Sequence, residues 1–170
     1  MSSNVIMIRV GIITISDKGS RGEREDLSGE EIKKIIHHLP DAVITAYTII
    51  PDEETIIIET LIAYADKEKL DLIITTGGTG LSPRDVTPEA TKKVIDREVI
   101  GMAEAMRLDS LKITPFGMLS RSVVGTRGLS LIINLPGSPK GVRENLSTLL
   151  PVIPHALAKL KGDPSECGSR

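Results

Sequence analysis

Apolar positions along this chain follow two rhythms. Short β-branched runs at residues 5–15, 43–50 and 71–76 read as strands; the first, broken only by Arg9, is apolar on consecutive positions, as in a strand buried on both faces of a parallel sheet. Between these runs the spacing changes to three and four. Ile32, Ile35, Ile36 and Leu39 predict a helix that follows Ser28-Gly29 and ends near His38. Ile56-Ile57-Ile58 lies in a stretch reaching Lys69 that is too long and too free of turn residues for a strand, so it too reads as helix. Asp52 serves as its N-cap, with Glu53 and Glu54 in the first turn. Thr87-Pro88-Glu89 opens a helix to about Val99, Gly101 separates it from another over residues 102–112, and Ser138-Pro139 opens one to about Thr148. Pro151 and Pro154 precede a last helix through Lys161. Met102 and Met106, one turn apart, read as core packing, with a subunit contact as their other use.

Residues 118–124 and 129–135 flank Gly125-Thr-Arg-Gly128 and read as a hairpin with a glycine-bearing turn. Residues 18–26 hold six charged side chains and two glycines and read as a solvated loop. Strands alternating with helices predict an α/β fold: a mostly parallel sheet, helices on both faces, right-handed crossovers and a late β-hairpin whose strand need not be parallel. No repeat or linker divides the chain, so residues 1–162 are expected to form one domain and 163–170 a flexible tail.

Charge and composition remove several classes of function. A net charge of −2 lacks the basic excess of a nucleic-acid binder, and three aromatic residues, Tyr47, Tyr64 and Phe116, are too few for a base-stacking platform. Cys167 is the only cysteine, which excludes a disulfide framework and a multi-cysteine metal site. The first apolar run has no basic leader, and no run is long enough to span a membrane, so the expected location is the cytoplasm without membrane contact.

Candidate chemistry gathers at strand ends. The third strand runs into Thr76-Gly77-Gly78-Thr79-Gly80, followed by Ser82, Pro83, Arg84, Asp85 and a helix start, an arrangement that presents backbone N–H groups and a helix dipole to phosphate. It is neither a P-loop nor a dinucleotide fingerprint, because Pro83 stands where a third glycine belongs and no Lys-Ser or Lys-Thr pair follows. A tight turn needing positive φ is the plain alternative. Ser16-Asp17, Asp52 and Asn134 to Ser138 lie at the other strand ends, where open α/β sheets bind ligands. Taken singly, Asp52 reads as a helix cap, and Asp17 or Asp85 as a loop residue bonding its own backbone. Taken together they bring at least two carboxylates to one phosphate cleft, which suits Mg²⁺, with Arg84 neutralising phosphate oxygens. His37, His38 and His155 are all expected elsewhere, which disfavours a histidine-based nucleophilic mechanism and favours attack by an already ionised phosphate.

Ser16-Asp17, Asp26-x-Ser28-Gly29, Pro51-Asp52-Glu53, Thr75-Thr-Gly-Gly-Thr-Gly80, Ser82-Pro-Arg-Asp-Val-Thr-Pro-Glu-Ala-Thr91, Leu119-Ser-Arg121 and Asn134-Leu-Pro-Gly-Ser-Pro139 together resemble the MogA/MoaB family of molybdenum cofactor biosynthesis, in the family's order and across residues 9–161. The resemblance implies a three-layer α/β/α molybdopterin-binding fold, assembled as a homotrimer or a hexamer. It implies Mg²⁺-dependent adenylyl transfer from ATP to molybdopterin, giving adenylyl-molybdopterin and diphosphate. The family's catalytic and metal-holding aspartates fall on Asp52 and Asp85, its glycine loop on Gly77, Gly78 and Gly80, and a second substrate-contacting turn on Pro136, Gly137 and Ser138. Ser16, Asp17, Thr76, Thr79, Ser82 and Arg84 complete the expected substrate-binding set. The chain lacks the extended C-terminal region of longer bacterial members. A MoaB-type protein that binds molybdopterin without chemistry, or serves as a scaffold, is therefore the second expectation, and a nucleotide hydrolase the third.

Overall fold

The computed structural model describes residues 6–167. Six strands, β1 (Ile8–Ile15), β2 (Ala42–Ile50), β3 (Leu72–Thr76), β4 (Arg97–Glu98), β5 (Val124–Arg127) and β6 (Ser130–Leu135), form one sheet in the order β2-β1-β3-β6-β5-β4. The first four in that order are mutually parallel, while β5 runs antiparallel to β6 and β4 antiparallel to β5. Among the described residues seven α-helices accompany it: α1 (Asp17–Ser20), α2 (Leu27–Ile36), α3 (Glu54–Ile62), α4 (Thr87–Val94), α5 (Ile100–Leu111), α6 (Pro139–Leu149) and α7 (Ile153–Leu160).

The strand pleat divides the core in two. Val10, Ile12, Leu72, Ile74, Leu131 and Ile133 point to one face and are covered by α2, α5, α6 and α7. Ile13, Ile15, Ile73 and Ile132 point to the other and are covered by α3 and α4. Both faces of β1, β3 and β6 are thereby dry, which explains their apolar runs, while the edge strand β2 stays partly exposed. Met102 and Met106 lie in the first core, as the packing reading expects.

Several elements depart from the sequence pattern, among them the helix expected after Gly101, which starts at Ile100 and takes Gly101 into α5, and two expected segments reach beyond the described residues. Val5, the expected start of the first strand, lies outside the described residues, as do residues 168–170 of the expected tail. Residues 163–167 are described: Asp163 N–H donates to Ala158 O at 3.0 Å, and Cys167 Sγ lies 3.4 Å from His155 Nε2. The segment expected as a loop, 18–26, contains most of the one-turn helix α1, which Ser16 caps, and α2 starts at Leu27, ahead of Ser28-Gly29, with Asp26 as its cap. The helix after β2 starts at Glu54 and ends in a π-helical turn over Ala63–Lys67. The helix from Thr87 stops at Val94, because Ile95 turns extended and Arg97–Glu98 pair with β5. Residues 115–119 form a 3₁₀ turn, and the hairpin reverses at Gly128, where φ is 53°. Gly125 lies inside β5 instead, where an added Cβ would stand 2.6 Å from Ile95 Cδ1.

The connections leave β1 toward β2 on one side and β3 on the other. A crevice therefore opens beyond the carboxyl ends of these strands.

Candidate active site

Two cavities occupy that end of the sheet. One, of about 240 Å³, is lined by Ser16, Asp26, Asp52, Thr76, Gly77 and Gly78, with Asp85 and Gly137 completing its rim. The other, of about 510 Å³, is lined by Thr79, Gly80, Phe116, Pro136, Ser138, Lys140 and Asn145. Gly78, Asp85 and Gly137 belong to both, so the glycine loop is a shared wall between two adjoining hollows.

Close backbone approach dictates the glycines. Gly77 has φ 101°, and a Cβ there would stand 2.2 Å from Ile15 O; Gly78 has φ 67°, and its Cβ would meet Thr87 Oγ1 at 2.2 Å. Gly137 approaches from the loop after β6, and its Cβ would lie 3.3 Å from Gly77 Cα. Hydrogen bonds lock this crossing: Thr76 Oγ1 donates to Pro136 O at 2.7 Å, Gly77 N–H to Leu135 O at 3.2 Å, and Thr87 Oγ1 to Gly77 O at 3.0 Å. Thr76 and Thr87 hydroxyls are thus consumed in shaping the loop.

The carboxylates are linked rather than scattered. Asp17 N–H donates to Asp52 Oδ2 at 2.9 Å, and Asp52 N–H donates to Asp17 Oδ1 at 3.0 Å. Arg84 sets Nε and Nη2 on the two oxygens of Asp17 at 3.0 and 2.9 Å, and Nη2 also reaches Glu53 Oε1 at 2.9 Å. The Arg84 bonds hold the Asp17 carboxyl below the usual carboxylate range. Asp52 moves the other way: burial raises its pKa, and the neighbouring Asp17 and Asp85 carboxylates add to the rise. Asp85 is turned inward by Ser82, whose N–H donates to its Oδ2 at 2.9 Å.

Asp52 is a half-buried carboxyl whose ionisation is opposed by burial and by two carboxylates, and Asp85 faces the same hollow. Among the described residues no cluster of three or more acidic, His or Cys side chains forms a complete metal site. Two carboxylates open to ligand oxygens are the donor set that Mg²⁺ takes together with substrate phosphates. The residues therefore fit the metal as one shared between protein and ligand.

Residues 11–155 match a family model described as "Probable molybdopterin binding domain". The chain belongs to this molybdopterin-binding family. It is similar to the molybdopterin adenylyltransferase of Helicobacter pylori, 44% identical over 157 residues that cover 92% of this chain and 89% of that one. The molybdopterin adenylyltransferase of Escherichia coli is 43% identical over 143 residues, covering 82% and 72%. The crystal structure of the molybdopterin biosynthesis enzyme MoaB from Thermus thermophilus superposes with a TM-score of 0.87 at 54% identity, covering 94% of this chain and 100% of that one.

Within this molybdopterin-binding fold, every expected strand-end cluster reaches the crevice, but several residues hold the protein together there. Ser16 and Ser138 cap α1 and α6 through their Oγ atoms. Arg84 has its guanidinium engaged by Asp17 and Glu53 instead of standing open to phosphate. Asp52 is not a cap, since Glu53 occupies that position and makes no side-chain cap bond. Two further residues, Asp26 and Arg121, shape the site. Asp26 lines the smaller cavity, caps α2 through Gly29 N–H at 2.9 Å, and accepts from Thr14 Oγ1 at 2.7 Å and from Tyr47 Oη. Arg121 reaches over the glycine loop to Gly80 O at 2.8 Å. The Asp-x-Ser-Gly spacing carries a legible capping signal; nothing around Arg121 marks its reach.

Proposed function

We propose that this protein is a molybdopterin adenylyltransferase of molybdenum cofactor biosynthesis, using ATP and Mg²⁺. One observation carries the reading: two adjoining cavities share a glycine-loop wall, and Asp85 stands on that wall with Asp52 behind it. Two ligands held in such neighbours meet at the wall. The named activity of relatives at 43–44% identity agrees with it.

The terminal phosphate monoester of molybdopterin is its own nucleophile. Its oxygen forms a bond to the α-phosphorus of ATP, the bond from that phosphorus to the bridging oxygen breaks, and diphosphate leaves with the electron pair. A monoester that is largely dianionic near neutral pH needs no base, and none of His37, His38 and His155 lines either cavity. Asp52 and Asp85 would hold Mg²⁺, which when bound neutralises charge on the ATP phosphates and the departing diphosphate. The chain's own part is placement: Gly77 and Gly78 bring backbone close to the phosphates, and the Asp17–Arg84 pair ties the loop of Asp85 to the strand end of Asp52.

Exposed apolar residues Leu108, Phe116 and Met118 support self-association, and the family's homotrimer or hexamer is the assembly proposed for them. No helix among the described residues is long and apolar enough to cross a membrane, which accords with a cytoplasmic location. Incubation of the protein with molybdopterin, ATP and Mg²⁺, followed by mass detection of adenylyl-molybdopterin, tests the activity. Tight molybdopterin binding with no ATP consumed would favour the MoaB-type binding protein, and diphosphate released without pterin would favour a hydrolase. Light scattering tests the assembly.

A further inference from the structure

Arg121 comes from the segment before β5, yet it grips the loop that carries Asp85. Its backbone N–H donates to Thr79 O at 3.0 Å, its Nε–H to Gly80 O at 2.8 Å and its Nη2–H to Asp85 O at 2.7 Å, while Nη1 pairs with Glu89 in the first turn of α4. Nε and Nη2 form one edge of a planar guanidinium, so a single rigid group holds the carbonyls at both ends of residues 80–85. Residues 81–84 are exposed. Within the loop, Asp85 N–H donates to Ser82 O and Ser82 N–H to Asp85 Oδ2, each at 2.9 Å. The Asp85 carboxylate thus hangs on a loop whose two ends are set by one side chain from elsewhere in the chain.

We propose that Arg121 is a positioning residue for the transfer reaction: by fixing both ends of residues 80–85 it acts with the Arg84–Asp17 tie to set where the Asp85 carboxylate stands relative to Asp52. The consequence for turnover rests on the adenylyltransferase reading; the geometry does not. Lysine offers one ammonium in place of the two-pronged edge and reaches one carbonyl at a time, so it keeps the charge and loses the grip. Glutamine keeps a polar group and removes the charge.

The test compares wild type, Arg121→Lys and Arg121→Gln in the full chain by hydrogen exchange, Mn²⁺ binding in the presence of ATP, and turnover. Arg121→Lys is expected to melt close to wild type and to exchange faster in the peptide covering residues 80–86, with β3 and β6 unchanged. Its Mn²⁺ affinity falls about tenfold and its kcat about 100-fold, with KM for both substrates little changed. Should Arg121→Lys fail to fold, Arg121→Gln carries the same expectations. Wild-type exchange over residues 80–86 together with wild-type Mn²⁺ affinity in a folded variant overturns the proposal, and so does altered exchange with unaltered kcat. A wild type that forms no adenylylated product defeats the adenylyltransferase reading instead; exchange and Mn²⁺ binding then still decide whether Arg121 places Asp85.

Discussion

Asp17 and Asp52 exchange backbone-to-carboxylate hydrogen bonds in both directions, at 2.9 and 3.0 Å, so the ends of β1 and β2 are stitched by two acidic residues. Arg84 makes this arrangement tolerable by occupying both oxygens of Asp17. Because the folded pKa of Asp17 is lowered, its contribution to stability is present above its unfolded value near about pH 4 and is lost as pH falls through the lowered folded value. Arg84→Gln is expected to return the Asp17 pKa toward normal and move acid unfolding to higher pH. Acid titration followed by circular dichroism checks it.

Asp52 has the opposite linkage. Its folded pKa is raised, first by burial, so its contribution is most favourable below the unfolded value and is lost as pH rises through the folded one. At neutral pH the charged Asp52 therefore costs stability. Asp52→Asn keeps an oxygen to accept from Asp17 N–H and removes the charge. It is expected to melt higher than wild type at pH 7, with the gain fading toward pH 4, while losing most turnover. Paired melting curves at the two pH values check the sign, and a lower melting temperature at pH 7 would contradict it.

Two glycines of one loop should fail differently. A Cβ at Gly77 would press on the Ile15 carbonyl, a backbone atom with nowhere to go, and φ is already in the left-handed region. Gly77→Ala is expected to cost about 2–4 kcal/mol. At Gly80 an added Cβ would stand 2.9 Å from Asp85 Oδ2, which can swing aside. Gly80→Ala is expected to stay folded and lose kcat. Denaturant midpoints and turnover together separate the two outcomes.

Asn134 is a fourth test, directed at the scaffold. Fully buried, it donates from Nδ2 to Thr75 Oγ1 and Thr91 Oγ1, both at 3.0 Å, and accepts from Val123 N–H at 3.2 Å. It ties β6 to β3, α4 and the segment before β5. Asn134→Ala strands several buried polar groups at about 1–3 kcal/mol each, so a loss near the upper end of single-mutant effects is expected in denaturant melts.

The strand ends were legible because each combined a buried run with an abrupt polar or glycine break, as Ile74-Thr75-Thr76-Gly77 does. Side-chain roles were less so. Asp52 has the composition of a cap, but Asp17, brought close only by the β1–β2 pairing, offers its N–H to that carboxylate. Thr87 likewise looks like a cap and instead spends its hydroxyl on Gly77 O, ten residues back. Ile95 to Glu98 continue a helical pattern, yet the chain turns extended at Ile95 and Arg97–Glu98 pair with β5, a change that no local glycine or proline announces. What local sequence missed was decided by partners far along the chain.

The account stands on Asp52 and Asp85 acting from one crevice on two ligands, and formation of adenylyl-molybdopterin by wild type and Asp85→Asn, followed by mass at equal folded fraction, tests it most directly. Wild type should form the product with Mg²⁺, and Asp85→Asn should melt normally and form it orders of magnitude more slowly. Equal rates in the two proteins would contradict the account.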